Sequence, residues 1–271
     1  MKKVGWYLMS VLPLLALLVL QVVSGFFLIL WYMFRYGVEN GAQDHLMEIM
    51  VITQALTLLV MGLWYLLLVK PKGPVNVGFR GKGISRRAVA GFFCLAIGFQ
   101  CLVHVFLTIW SFVSPEQIIA YNKLMEESGV GELTVFSAIA MVIMAPLGEE
   151  LVFRGITVEY LRRGGARFWV LNGVQALFFG IAHLNLVQGA YAFFGGLLNG
   201  YVLKRYGTLW APILLHLFIN AYATFGNPVL VKLQEGNSMA FTLGSLVVGA
   251  VTFPLGMRLV LMDAKREERW I

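Results

Sequence analysis

Three short segments of this chain carry polar side chains that could do acid–base chemistry within otherwise apolar sequence. These side chains are Glu149, Glu150, Arg154, His183, His216 and Asn220. Ionisable groups at membrane depth are costly and usually mark a function or an ion pair. Carboxylates and imidazoles can take up and release protons near neutral pH, and imidazoles and amides can donate hydrogen bonds to a developing negative charge. The set therefore indicates general acid–base chemistry inside an apolar environment.

The spacing of these residues predicts which of them share a helix face. Glu150 and Arg154 are four residues apart, so they project from the same side and can form an ion pair. Glu149 is rotated by about 100° from Glu150 and can therefore reach a different neighbour. His216 and Asn220 are also four residues apart and share a face. A purely structural ion pair would explain Glu150 and Arg154, but it would leave the second carboxylate without a partner in its own helix.

The other residues of interest in the apolar segments are easier to explain by packing. Phe179 lies one helical turn before His183 and is predicted to pack beside its imidazole. His104 has no obvious polar partner at helical spacing and is predicted to be a packed core residue. Scattered amides, namely Asn172, Gln175 and Asn199, have no assigned role. The groups on the three segments can satisfy one another only if the helices that carry them pack together.

The composition places these residues in a membrane protein. Of the 271 residues, 59% are hydrophobic and 13% are charged, whereas soluble domains have about 25% charged residues. This contrast, with a mean hydropathy of +0.78, excludes a cytosolic globular protein, a disordered chain and a disulfide scaffold. The net charge of +7 does not indicate a nucleic-acid partner, because the basic residues lie between apolar runs, as they do in membrane proteins. Cys94 and Cys101 lie in one such run and are predicted to be buried thiols.

The apolar runs predict eight membrane-spanning helices, since one span needs roughly 20 apolar residues. The first run is too long for the apolar core of a signal peptide and is predicted to be retained. The run 168–203 is too long for a single crossing, and Asn185 is predicted to divide it. The predicted spans are 4–34, 49–69, 88–115, 133–161, the two parts of 168–203, 208–231 and 236–262.

The loop charges agree with eight spans and with both termini in the cytoplasm. This arrangement places 17 of the 21 Lys and Arg residues on the side of the termini, as the positive-inside rule requires. The fold is therefore predicted to be an all-α polytopic bundle, with 1–271 as one integral membrane domain in the lipid bilayer. The basic, glycine-rich loop 70–87 is predicted to be a solvated linker, and the segment 116–132 to lie on the outer membrane surface or to line an entrance.

The three polar segments resemble the three motifs of a known family, the CPBP family of CAAX proteases and bacteriocin-processing enzymes, also called the ABI family. The motifs are Glu149-Glu150-x-x-x-Arg154, Phe179-x-x-x-His183 and His216-x-x-x-Asn220. They occur in the family's order, and the resemblance covers residues 134–223. It implies a CAAX-protease-like catalytic core in that range, within an eight-helix bundle that encloses a hydrophilic cavity.

The resemblance implies an intramembrane endopeptidase that hydrolyses a peptide bond in a membrane-associated protein or peptide. Glu149 would be the general base that activates a water molecule, and His183 would help to hold and polarise that water. His216 and Asn220 would stabilise the oxyanion of the tetrahedral intermediate. The residues that orient the site would be Glu150, Arg154 and Phe179.

The need for a metal ion stays open at this point, although no cofactor is favoured. One carboxylate and two imidazoles can bind catalytic Zn²⁺ together with a water molecule, and here they would be Glu149, His183 and His216. The chain has no His-Glu-x-x-His motif, and the metal-free glutamate mechanism is the favoured view for the family.

Two other functions compete with the protease. A catalytically silent membrane partner of the same family, acting in bacteriocin immunity or regulation, would carry the motifs without cleaving anything. A proton-coupled transporter could use the carboxylates and histidines as a relay, but no inverted repeat supports it. The length and short loops are typical of a protein of a prokaryotic cell membrane. The Gly196-x-x-x-Gly200 pattern predicts close helix packing, with the lining of a substrate groove as its alternative.

Overall fold

The structure, a computed structural model, describes residues 3–38, 41–69, 79, 83–128, 134–226 and 238–263. Within these residues the chain forms ten helices. They are α1 (Lys3–Met9), α2 (Leu12–Tyr36), α3 (Leu46–Val69), α4 (Arg86–Val113), α5 (Pro115–Glu127), α6 (Val135–Arg163), α7 (Phe168–Ala182), α8 (Leu186–Tyr206), α9 (Trp210–Ala221, continued by a π-helical turn Tyr222–Gly226) and α10 (Ser238–Asp263).

The protein is an all-α, multi-pass membrane protein, as predicted. In the described part of the chain, six helical segments are long and apolar enough to cross a membrane: α1 together with α2, then α3, α4, α6, α8 and α10. Helix α7 has 15 residues, or about 22 Å of helix, and α9 has 12 before its π-helical turn. Two of the eight predicted spans are thus shorter than a full crossing, so the count of eight is approximate.

Most of the predicted boundaries lie close to the observed ones. Asn185 divides the long apolar run as predicted, because its side chain accepts a hydrogen bond from the backbone N–H of Gln188 (2.9 Å) and caps α8. The first predicted span is instead two helices, α1 and α2, interrupted at Ser10 and Val11 just before Pro13. Most of the predicted linker 70–87 lies outside the described residues. The segment 116–132, predicted to be on the outer side, includes most of α5, whose Tyr121 hydroxyl lies 3.1 Å from that of Tyr191 on α8.

Two apolar clusters form the core of the bundle. The first joins α2, α3, α6 and α7, with Met61, Phe153 and Phe179 among its buried members. The second joins α4, α8, α9 and α10 and includes Phe92 and Leu215. Many large apolar side chains face outward, as expected for helices whose surroundings are lipid rather than water.

Glycines bring α7 and α8 unusually close together, which confirms the predicted packing role of Gly196 and Gly200. A Cβ atom at Gly196 would lie 2.9 Å from Ala176 Cα, and one at Gly200 would lie 1.8 Å from Asn172 Oδ1. Neither position has room for a methyl group. Because the backbones approach so closely, side chains of α7 and α6 can reach the carbonyl groups of α8.

The polar residues outside the three motifs are held by packing and local hydrogen bonds. Cys94 and Cys101 are both free thiols; Cys101 is buried as predicted, whereas Cys94 is only partly buried. His104 packs α4 against α10, with its Nε2 3.4 Å from the Thr242 hydroxyl and its ring centroid 4.7 Å from that of Phe241. This contact agrees with its prediction as a packed residue.

Candidate active site

Helix α6 supplies the first motif through an irregular stretch of backbone. Its α-helical turn Ala145–Glu150 lies between two π-helical segments, Ala138–Met144 and Leu151–Thr157. A π-helical segment changes the direction of the side chains that follow it, and such segments are frequent at functional sites. Glu149 and Glu150 end the α-helical turn, so the break in regularity fixes where the two carboxylates point.

Glu150 and Arg154 form the ion pair that their spacing predicts. Arg154 Nη1 donates to Glu150 Oε1 over 2.9 Å, and both side chains are fully buried. Arg154 Nη2 also donates to the carbonyl oxygen of Gly196 on α8 (3.2 Å), and its guanidinium lies 4.6 Å from the centroid of the Phe179 ring. The pair therefore connects α6 with both α7 and α8.

His216 on α9 lies between the two glutamates. Its Nδ1 is 2.8 Å from Glu150 Oε1, and its Nε2 is 3.6 Å from Glu149 Oε2. An ionised carboxylate only accepts hydrogen bonds, so Nδ1 carries the proton that faces Glu150. The Glu149 side chain is 20% exposed, whereas that of Glu150 is 0% exposed. Of the two carboxylates, only Glu149 is open to a substrate or to bulk solvent.

His183 ends α7 with its ring fixed by its own helix. Its Nδ1 lies 2.8 Å from the carbonyl oxygen of Phe179. Because a carbonyl oxygen only accepts, Nδ1 carries the proton and Nε2 has a free lone pair when the ring is neutral. The following residue, Leu184, has a φ of +53°, a conformation that bulky residues rarely adopt.

Phe179 contacts three of the site's charged or ionisable groups. Its ring is perpendicular to the imidazoles of His183 and His216, at centroid distances of 4.9 and 5.6 Å. Its ring also lies beside the guanidinium of Arg154. The predicted packing of Phe179 against His183 is therefore present, and the same ring also braces the second histidine.

Asn220 is anchored to α6 rather than to the glutamates. Its side-chain Nδ2 donates to the carbonyl oxygen of Met141 over 2.8 Å. On the opposite side, Gln100 of α4 donates to the backbone carbonyl oxygen of Ile219 (3.0 Å). These two bonds fix the register of α9, and so they also fix the height of His216.

Buried amides, for which the sequence predicted no role, form part of the site. Asn199 Nδ2 donates to Glu150 Oε1 (3.3 Å) from α8. Gln175 Nε2 donates to the carbonyl oxygen of Gly196 (2.9 Å) and to Asn172 Oδ1 (2.8 Å). These contacts could have been predicted from the sequence, because amides in apolar helices next to close-packing glycines are expected to bind a neighbouring helix.

The candidate zinc ligands do not form a metal site. In the described part of the chain, no three His, Cys, Asp or Glu side chains are placed to hold one ion. Glu149 and His216 are neighbours, and His183 contacts the same Phe179 ring as His216, but the three are not gathered around one point. The residues present therefore do not fit Zn²⁺, and no step of the chemistry below uses a metal.

Comparisons with known proteins find similarity for this part of the chain. Residues 131–222 match the family described as type II CAAX prenyl endopeptidase Rce1-like. A curated Escherichia coli protein, described as an uncharacterized 24.3 kDa protein, is 32% identical over 100 residues, which is 35% of this chain and 46% of that relative. The chain thus matches less than half of the length of this relative. No solved structure matches the chain. The matched residues 131–222 contain all three motifs, so this part of the chain is similar to the Rce1-like type II CAAX prenyl endopeptidases.

Proposed function

We propose that this protein is an intramembrane endopeptidase that uses a glutamate-activated water molecule. The observation that carries the proposal is the position of His216 between a buried Glu150 at 2.8 Å and a partly exposed Glu149 at 3.6 Å. One carboxylate orients the imidazole, and the other is free to act on a water molecule. The family match over 131–222 supports the same reaction class.

Glu149 is the proposed general base. It takes a proton from the water molecule while the water oxygen attacks the carbonyl carbon of the scissile peptide bond. His183 assists, because its protonated Nδ1 is bound to Phe179 and its free Nε2 can accept the second hydrogen of the same water. When the C–N bond breaks, the proton held by Glu149 passes to the leaving amine.

His216 and Asn220 are the proposed donors to the oxyanion. With Nδ1 bound to Glu150, His216 donates from Nε2 towards the space beside Glu149 in its imidazolium form, in which both ring nitrogens carry a proton. Asn220 uses one N–H to bind Met141, and the second is available for the oxyanion. Donors fixed in this way contribute about 10²–10³ to kcat each, because they need no reorganisation during the reaction.

The proposed substrate is a membrane-associated protein or peptide. The site residues lie on α6 to α9, whose outer surfaces are apolar, so the scissile bond must be presented by a chain that partitions into the membrane. The proposed location is a prokaryotic cell membrane with both termini in the cytoplasm, and residues 134–223 form the proposed catalytic core of one membrane domain.

The proposal is tested by comparing peptide products from membranes that contain the wild-type protein or Glu149→Gln, with mass spectrometry as the readout. The matched control is Glu127→Gln, a glutamate on α5 with a 63% exposed side chain. Peptide products that are found with the wild type and with Glu127→Gln, but not with Glu149→Gln, support the protease. Equal products from Glu149→Gln contradict it, and full biological activity of that variant would instead favour the silent membrane partner.

A further inference from the structure

Three buried side chains of the site each have one polar atom that makes no hydrogen bond, beside others that do. Glu150 Oε1 accepts from Arg154 Nη1 (2.9 Å) and from Asn199 Nδ2 (3.3 Å). In the same side chains, three other polar atoms have no hydrogen-bonding partner among the described residues. They are Glu150 Oε2, Arg154 Nε and Asn199 Oδ1. All three side chains are at most 1% exposed. Buried polar atoms are rarely left in this state.

The three unbonded atoms belong to groups that meet at Glu150 Oε1. Each is separated by two covalent bonds from an atom that takes part in the hydrogen bonds at Glu150 Oε1. Two of them, Glu150 Oε2 and Asn199 Oδ1, accept hydrogen bonds, and Arg154 Nε donates one. A water molecule offers two donors and can accept a third bond, whereas a cation could not accept from Arg154 and an anion would be repelled by Glu150. Internal waters typically make about three hydrogen bonds.

We infer that Glu150, Arg154 and Asn199 hold one buried water molecule, and that Asn199 is a positioning residue of the site. This water differs from the reacting one, because its ligands are closed to solvent while Glu149 is 20% exposed. Asn199 holds Glu150 directly and through the water, and Glu150 in turn holds Nδ1 of His216. The water site stands on geometry alone, whereas the effect of Asn199 on the reaction rests on the proposed function.

The water site is tested on the wild-type protein in nanodiscs, by a structure at a resolution that shows ordered waters. The expected result is a density peak within hydrogen-bonding distance of Glu150 Oε2, Asn199 Oδ1 and Arg154 Nε. A structure in which these atoms bond one another without a peak overturns the inference. Infrared spectra give a second test, because a protonated Glu150 could donate to Asn199 without any water. A deuterium-sensitive carboxylic-acid band that disappears in Glu150→Gln overturns the site, and the lack of such a band supports it.

The positioning role is tested with Asn199→Leu, which removes both polar atoms at similar size. The expected result is a roughly tenfold lower kcat with KM nearly unchanged, since the loss concerns the orientation of Glu150 and not substrate binding. Asn122→Leu on α5, which replaces an exposed asparagine, is the matched control and keeps the wild-type kcat. Asn199→Ser, which retains a hydroxyl and room for water, is expected to recover most of the activity.

The outcomes separate this inference from the proposed function. If Asn199→Leu keeps the wild-type kcat, or if Asn199→Ser is as slow as Asn199→Leu, the positioning role is wrong. If Glu149→Gln cleaves like the wild type, the proposed function fails, and the density and infrared results still decide the water site. If Asn199→Leu does not fold, the density map and the infrared spectra decide the water site, and the kcat of Asn199→Ser decides the positioning role.

Discussion

Glu150 and His216 are 66 residues apart and lie on different helices, yet the carboxylate and the imidazole meet at 2.8 Å in a buried contact. The bond joins the first motif to the third and fixes which nitrogen of His216 faces Glu149. It explains why the chain keeps two adjacent glutamates: the buried one orients the imidazole and the partly exposed one is left for the reaction.

Replacement of Glu149 by Gln is expected to abolish cleavage without unfolding the protein. Glu149 has one 3.6 Å contact with His216 and is partly exposed, so little folding energy depends on it. General-base catalysis contributes about 10²–10⁴ to the rate, and kcat should fall by that factor. The measurement is kcat together with the unfolding temperature in the same detergent. A variant with the wild-type rate, or one that unfolds before it can be assayed, contradicts this role.

Replacement of Arg154 by Met is expected to destabilise the protein strongly. Glu150 would remain buried at 0% exposure without its cation, and breaking such a pair costs about 3–5 kcal/mol. The comparison is Lys123→Met, which removes an exposed i,i+4 pair with Glu127 and should change the free energy of unfolding by less than about 1 kcal/mol. Equal stabilities of the two variants would show that the buried pair is not needed for the fold.

The close approach of α7 and α8 predicts different outcomes for two glycines. Gly200→Ala places a methyl group 1.8 Å from Asn172 Oδ1 and should prevent normal packing, whereas a Cβ at Gly173 on α7 meets nothing within 4 Å. We expect Gly173→Ala to fold like the wild type or slightly better, because alanine is the stronger helix former. The measurement is the yield of monodisperse protein and its unfolding temperature, and a well-folded Gly200→Ala would refute the close contact.

Removal of metal ions is expected to leave the activity unchanged. Among the described residues no three potential ligands are gathered around one point, and His183 and Glu149 are not arranged as a pair. Purified protein should retain its kcat after dialysis against a strong chelator, with less than one equivalent of zinc before treatment. Loss of activity on chelation and its return with Zn²⁺ alone would reverse this expectation.

The charge distribution predicts the orientation of the chain. Single cysteines at Lys2 and Lys265, in a background with Cys94 and Cys101 replaced by Ala, should be labelled only from the cytoplasmic side. A cysteine at Lys123 on α5 should be labelled only from the opposite side, because the acidic outer segment carries few basic residues. Labelling of all three positions from one side would mean that the number of crossings between them differs from the predicted one.

The sequence predicted the class of fold and the ion pair of Glu150 with Arg154, because both depend on strong local signals. Long apolar runs specify spans, and a four-residue separation places Glu150 beside Arg154 on any regular helix. The same reasoning could not decide which glutamate binds His216, because the π-helical segments on both sides of Ala145–Glu150 change the direction of each carboxylate.

The roles of Asn199 and Asn220 depended on contacts between helices that no spacing rule supplies. Asn199 reaches Glu150 only because glycines let α8 approach its neighbours, and Asn220 meets the carbonyl of Met141 where α6 is π-helical. The break between α1 and α2 was missed for a related reason: the apolar run is continuous there, and only Pro13 marks the interruption.

The left-handed backbone of Leu184 has a practical consequence for anyone who purifies this protein. Leucine disfavours that conformation by roughly 1–2 kcal/mol, so the packing of α7 against α8 must hold it in place beside His183. A detergent that loosens this packing will release the turn while most helical hydrogen bonds remain intact. Circular dichroism would then still show a helical protein, although the imidazole of His183 had already lost its orientation. A measurement of activity is therefore the proper criterion of sample quality.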